Sequence, residues 1–137
     1  MAGPAPYDLS GTGTGFTASG RLAWRPTGSV LVVEPGLAYF RYTTQNDASS
    51  KWFLPEVSAQ AEAGLGALRP FLGVGAGAGH ESVAGKGRWE ATLHLVAGVR
   101  LSLGRAWGLR TEARLLSVDP WAGSVVQFGF GVARCLC

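Results

Sequence analysis

The sequence predicts an all-β protein: a closed, antiparallel, up-and-down transmembrane β-barrel of about eight strands, seven of them clearly readable. Three observations predict it. The first is the stretch Arg88–Leu103, which alternates without a break. Trp89, Ala91, Leu93, Leu95, Ala97, Val99, Leu101 and Leu103 form one face; Arg88, Glu90, Thr92, His94, Val96, Gly98, Arg100 and Ser102 form the other. Period-2 alternation is the strand signature, and roughly 16 residues is about three times the usual strand of a soluble protein. The second is the charge on the opposite faces of these rows, which is carried by arginine and glutamate with no lysine. The third is an alternation of short and long connections, with tryptophans at the strand ends, as expected of a wall crossing two membrane interfaces.

Composition narrows the classes. A chain of 137 residues is by default one domain, with residues 1–12 a flexible leader or weak first strand and 13–137 the barrel. Glycine is abundant (21) and charge is low (15%). No run approaches the ~18 uninterrupted apolar residues of a transmembrane helix. The net charge of +3 is mild, and five of the twelve basic residues fall among acids on the charged faces. This is no nucleic-acid stripe. Met1–Pro6 lacks the basic n-region and apolar h-region of a signal peptide. Cys135 and Cys137 share a strand face at i and i+2, a poor geometry for bonding each other and a poor metal site alone.

The elements follow in order. Residues 1–12 are rich in Pro, Gly, Ser and Thr and carry no clear period. Thr14–Arg25 alternates Phe16, Ala18, Gly20, Leu22 and Trp24 with Thr17, Ser19, Arg21 and Arg25; Pro26-Thr27-Gly28 turns the chain. Ser29–Thr43 sets Leu31, Val33, Leu37 and Tyr39 against Val30, Val32, Glu34, Gly36 and Ala38. Pro35 marks a bulge or rim there, since it donates no ladder hydrogen bond. Residues 44–51 read as a polar loop. Trp52–Gly66 alternates Phe53, Val57, Ala59, Ala61, Ala63 and Leu65 with Glu56, Ser58, Gln60, Glu62 and Gly64. After a short turn at 67–69, Pro70–Ser82 puts Leu72, Val74, Ala76 and Ala78 on one face and Phe71, Gly73, Gly75, Gly77 and Gly79 on the other. The glycine row leaves room inside for long side chains from neighbouring strands. A longer loop at 83–87 leads into Arg88–Leu103. A short turn at 104–106 leads into Trp107–Leu116, with Arg110, Glu112 and Arg114 on its charged face. The loop 117–123 precedes Ser124–Arg134, with Val126, Phe128, Phe130 and Val132 on one side and Gln127, Gly129 and Gly131 on the other.

The inward acids are thus Glu34, Glu56, Glu62, Glu90 and Glu112. The inward bases are Arg21, Arg25, Arg100, Arg110 and Arg114, with Arg88 near the rim. Unpaired buried charge costs several kcal/mol per ion. A balanced set therefore reads as a cross-strand ion-pair network, for which arginine's planar fork is suited. Eight strands leave an interior that side chains can fill, so a plugged lumen without a channel is expected. Trp24 and Trp107 at the short-turn ends, with Trp52, Trp89 and Trp121 at the longer ends, are expected to form an aromatic girdle. No catalytic, metal or cofactor motif is present. His80-Glu81-Ser82 is the one cluster to weigh. His80 and Ser82 share a face, like a pair in the outer-membrane lipid A deacylases, but Glu81 lies on the opposite face, where it cannot orient the histidine. His94, among inward charges, reads as a hydrogen-bonded core histidine.

Leu68-Arg69-Pro70-Phe71-Leu72-Gly73-Val74-Gly75-Ala76-Gly77, Ala97-Gly98-Val99-Arg100 and Gln127-Phe128-Gly129-Phe130-Gly131-Val132 resemble the small OmpA/OmpX-type outer-membrane β-barrels, over about residues 53–134. This chain ends Cys135-Leu136-Cys137 where that group ends on an aromatic residue. The resemblance implies a barrel in a bacterial outer membrane, in contact with lipid; a monomer is favoured, with the oligomeric state left open. It also implies a structural or surface-interaction role, with a protein or other surface ligand meeting the loops at 44–51, 83–87 and 117–123. Alternation alone leaves open which face is inside. Inverted, the same rows make a soluble, lipocalin-like barrel with an apolar ligand inside. Strand length, terminal tryptophans and lysine-free charged faces favour lipid outside.

Overall fold

The computed structural model describes residues 2–5, 7–8, 15–43, 49–118 and 123–134. Its elements are strands alone: β1 (Ala2–Ala5), β2 (Tyr7–Asp8), β3 (Gly15–Arg21), β4 (Leu31–Thr43), β5 (Ser49–Glu62), β6 (Leu68–Val83), β7 (Lys86–Leu103), β8 (Trp107–Val118) and β9 (Gly123–Arg134). From β3 to β9 each strand pairs antiparallel with its sequence neighbour. β1 pairs β3 on one side (Ala2↔Ala18 to Ala5↔Gly15) and meets β9 on the other (Ala2↔Phe130). β2 continues along β9 (Tyr7↔Val126, Asp8↔Val125). The weak segment at the start of the chain is therefore the eighth strand position, interrupted between Ala5 and Tyr7, and it closes the ladder. The seam is paired at Gly15–Ala18 of β3 and at Val125, Val126 and Phe130 of β9.

The wall is long where alternation is long: β7 has 18 residues and β6 has 16. Burial repeats with period 2, strictly so along β5, whose even-numbered residues from Ser50 to Glu62 are buried and whose odd-numbered ones from Lys51 to Ala61 are exposed. The exposed side chains are largely apolar: Leu37, Phe53, Val57, Leu72, Val74, Leu93, Leu95, Leu109, Phe128 and Val132 all point out. The buried set includes Glu34, Glu56, Glu62, Glu112, Arg110 and Arg114. The apolar rows are outside and the charges inside, opposite to the lipocalin-like alternative.

Three corrections concern connections and bounds. The segment 83–87 is not a longer loop. β6 and β7 pair out to Val83↔Lys86, and Ala84 and Gly85 turn the chain alone, both at positive φ (48° and 78°). Two successive left-handed residues make the tight turn whose twist matches a hairpin. The next turn lies earlier than 67–69: Leu65 and Leu68 pair across Gly66-Ala67, with Gly66 at φ 70°, and Leu68 and Arg69 already belong to β6. Third, β3 ends at Arg21. Beyond it, pairing with β4 persists only through Leu22 N to Pro35 O (3.0 Å) and the Trp24↔Val33 bridge, before Pro26 O accepts Ser29 N (3.0 Å). Pro35 thus stands one residue past the last regular pair, Arg21↔Gly36, so its missing N–H costs little. Residues 9–14, 44–48 and 119–122 lie outside the described residues.

The glycine rows let the filled interior fit. A Cβ on Gly73 would meet Ala59 O at 2.6 Å, and one on Gly79 would meet the Trp52 ring at 2.7 Å. One on Gly77 would meet Leu54 Cδ1 at 2.9 Å and one on Gly75 would strike the His94 ring. At Gly98 it would strike Thr111 O and sit 2.7 Å from Phe71. We expect Gly98→Ala to destabilise the folded barrel by about 1–3 kcal/mol, the usual cost of overpacking, in urea titrations of detergent-folded protein. Gly20→Ala, with nothing within 4 Å of the added atom, should leave the midpoint nearly unchanged.

Candidate functional site

The lumen is filled in layers. The loop end is where β4 gives way to β5, β6 to β7 and β8 to β9. Just inside it, Glu81 accepts Ser50 Oγ (2.8 Å) and Arg88 Nε (2.9 Å), and Arg88 also pairs with Glu90 (2.8 Å). Below lies an apolar plug of Ala38, Phe40, Trp52, Leu54 and Leu116. Phe40 and Trp52 stack almost parallel, 5.6 Å between centroids and 3° apart, and the Trp52 indole N–H donates to Ser50 Oγ (3.0 Å). Each member has inward parity on its strand; facing apolar residues at one level make a dry disc between two polar layers.

The remaining depth holds a continuous ion-pair network. Arg110 grips both oxygens of Glu34 through Nη1 (2.7 and 2.8 Å) and reaches Glu112 through Nε (2.9 Å). Arg21 Nη1 takes both oxygens of Glu112 (2.8 and 2.9 Å), and its Nε reaches Glu56 (3.4 Å). Arg114 pairs with Glu56, Arg100 with Glu34 and Glu62, and Arg25 with Glu62. Gln60 bridges Glu34 (2.7 Å), Arg100 (2.8 Å) and Ser58 (3.0 Å). The guanidiniums of Arg100 and Arg110 lie over the Phe71 ring, 4.6 and 4.4 Å from its centroid. These ties link strands that are not neighbours: β4 to β8, β3 to β8, β5 to β8 and β7 to β4. Buried charges held this way each have an opposite charge and a hydrogen bond, the condition for tolerating them.

Nine of the ten residues expected in the interior network meet in this one cluster: Arg21, Arg25, Glu34, Glu56, Glu62, Arg100, Arg110, Glu112 and Arg114. Glu90 does not; it stands across the apolar plug, with Arg88. Glu81, Arg69 and Gln60 belong to the filling as well. Glu81 shares the glycine face of its strand, and parity alone places it inside. Arg69 lies inside β6, not in a turn, and reaches Glu62 at 3.4 Å. His94 is buried 3.1 Å from Arg114 Nη2. A guanidinium only donates, so His94 Nδ1 is the acceptor and the ring proton is on Nε2.

The aromatic girdle needs a correction. Trp24, Trp89 and Trp107 are exposed on the outer wall (64%, 63% and 52%), but Trp52 is 2% exposed and forms part of the plug. Position near a strand end suggested the girdle; parity with Glu56 decides the direction. Trp121 lies outside the described residues, as do Cys135 and Cys137. His80, on the outer wall, packs edge-on against Trp89 (5.0 Å between centroids), while the Glu81 carboxylate is turned inward to Ser50 and Arg88.

With this geometry in view, the fold can be compared with known proteins. The structure is similar to the crystal structure of Neisserial surface protein A (NspA), with a TM-score of 0.73 over 96% of this chain and 90% of that one, at 18% sequence identity. The architecture is that of this small barrel. No protein-family model matches the chain, and no curated protein matches it in sequence.

The network makes a stability prediction. Glu34→Leu removes the acid that Arg100 and Arg110 share, leaving Arg100 with Glu62 and Arg110 with Glu112, and should cost about 1.5–3 kcal/mol, the worth of hydrogen bonds to a charged group, in urea unfolding of the detergent-folded protein. Coupling it with Arg110→Leu should recover part of that loss; additive losses would show that the pair does not interact.

Proposed function

We propose that this protein is a small outer-membrane barrel with a sealed interior that works as a scaffold for its loop end, where surface contacts are made. One observation carries the reading: a continuous apolar outer wall surrounds a lumen in which charges are neutralised by one another. Were the faces inverted, with the charged rows outward, water would solvate those charges and none would need a buried partner. Lipid outside gives the apolar rows their solvent, and Trp24 and Trp107 at one end with Trp89 at the other sit where two interfaces favour amphipathic rings. Likeness in fold to NspA, a Neisserial surface protein, supports the same reading. The apolar plug and the ion network put side chains across the bore, which supports a non-conducting barrel. His80 and Ser82 lack an oriented acid in this arrangement, which favours a non-enzymatic role.

Orientation and sealing are both measurable. In a Gram-negative host supplied with an export signal, and with Cys135 and Cys137 replaced by serine, Lys86→Cys should react with a membrane-impermeant maleimide on intact cells. Arg105→Cys, at the opposite end, should react only after the outer membrane is opened; the reverse pattern would invert the barrel. Folded protein should also show a heat-shifted band on a semi-native gel and no steady current in a planar bilayer. A reproducible open level would remove the sealed-lumen reading.

A further inference from the structure

The end of the barrel opposite the loops opens into a cavity of about 620 Å3. Its wall carries Arg21, Arg25, Arg69, Arg100, Arg105 and Arg110 against only Glu34 and Glu62. Glu112 and Glu56, one layer deeper, hold Arg21 and Arg110, and counting both still sets six guanidiniums against four carboxylates. The acids are already shared. Glu62 serves Arg25, Arg100 and Arg69, and Glu34 serves Arg100, Arg110 and Gln60. Six guanidiniums bring about 30 N–H donors, against about 16 lone-pair sites on four carboxylates. Two of the arginines are weakly committed. Arg69 reaches Glu62 only at 3.4 Å, and its buried Nε has no hydrogen-bond partner among the described residues. Arg105, exposed in the turn between β7 and β8, makes no ion pair among the described residues.

From this surplus we propose that the cavity binds a small multivalent oxyanion, a phosphate or pyrophosphate group, entering from the end opposite the loops. A concave site lined by one sign of charge focuses its field on the opposite sign. Arginine's fork matches the oxygens of a phosphoryl group two at a time. A ligand with several charges satisfies more than one fork, whereas chloride satisfies none bidentately. The volume falls in the range of small-molecule sites, and Trp107 on its rim supplies an optical signal. The site rests on the charge count and the cavity, not on which side of a membrane this end faces.

The test uses the whole chain folded in nonionic micelles, titrated with inorganic pyrophosphate and followed by calorimetry and tryptophan fluorescence. Saturable binding to one site is expected, weakening as salt rises. Arg69→Gln with Arg105→Gln should weaken it at least tenfold while keeping the heat-shifted band. Arg105→Gln alone, in an exposed turn, gives a smaller loss and serves if the pair fails to fold. Lys51→Gln with Lys86→Gln, at the loop end, should change nothing. A second arm replaces pyrophosphate with micelles doped with a short-chain phosphatidic acid. Saturation there, lost in the arginine variants, assigns the phosphate to a lipid headgroup; saturation with pyrophosphate alone assigns it to a free solute. No saturable binding in either arm, or equal loss in the lysine variant, overturns the proposal.

Discussion

Glu34 organises the lower half of this barrel. Its carboxylate, almost fully buried, is held at once from β5 by Gln60, from β7 by Arg100 and from β8 by Arg110. A carboxylate in that setting is tolerable only while those partners stay, and both arginines are themselves committed to a second acid. Arg100 continues to Glu62, Arg110 to Glu112, and Glu112 to Arg21 on β3. The chain of contacts returns through Glu56 and Arg114 to β8. No pair in it is an isolated bridge. Because one guanidinium serves two acids, ordering its side chain once satisfies two partners.

The network fits only because other positions carry no side chain. Along β6, Gly73, Gly77 and Gly79 give way to the β5 residues Gln60, Leu54 with Glu56, and Trp52, and Gly75 gives way to His94 of β7. Large residues on one strand and none on its neighbour amount to one packing arrangement written on two strands. The apolar disc of Phe40, Trp52, Leu54 and Leu116 completes it. It separates the small acidic layer of Glu81 and Glu90 from the arginine-rich half.

Much of this is legible in the sequence because a strand's parity survives into the barrel. Alternation in Arg88–Leu103 and in β5 divides lipid face from lumen residue by residue, and it sorts nine of the network charges correctly. Parity does not say which strands face each other across the bore. The pairing of Arg110 with Glu34, at 76 residues' separation, follows from closure and from the stagger of the strands. Trp52 shows the cost of weighing position along a strand above parity. The turn at Ala84-Gly85 hid for a related reason. Lys86, Gly87 and Arg88 look like loop residues, yet they extend the ladder, and an alanine at positive φ gives no compositional signal. The apolar disc could not be read, since its members lie on three strands and become neighbours only when the sheet curls.

Closure also bears on how the chain assembles. Every long hairpin from β3 to β9 pairs sequence neighbours and can form locally, with little chain entropy to overcome. The short, proline-bearing segment Ala2–Asp8 must instead find β9 more than a hundred residues away, and the Arg21–Glu112 tie spans 91 residues. Contacts of that separation come only after the loop-closure entropy has been met. Until then, the arginines and glutamates of the lumen keep their hydration. Loss of that water, pairing of the charges and sealing of the seam between first and last strands thus belong to a single late step, which makes the barrel's cooperativity a property of its seam.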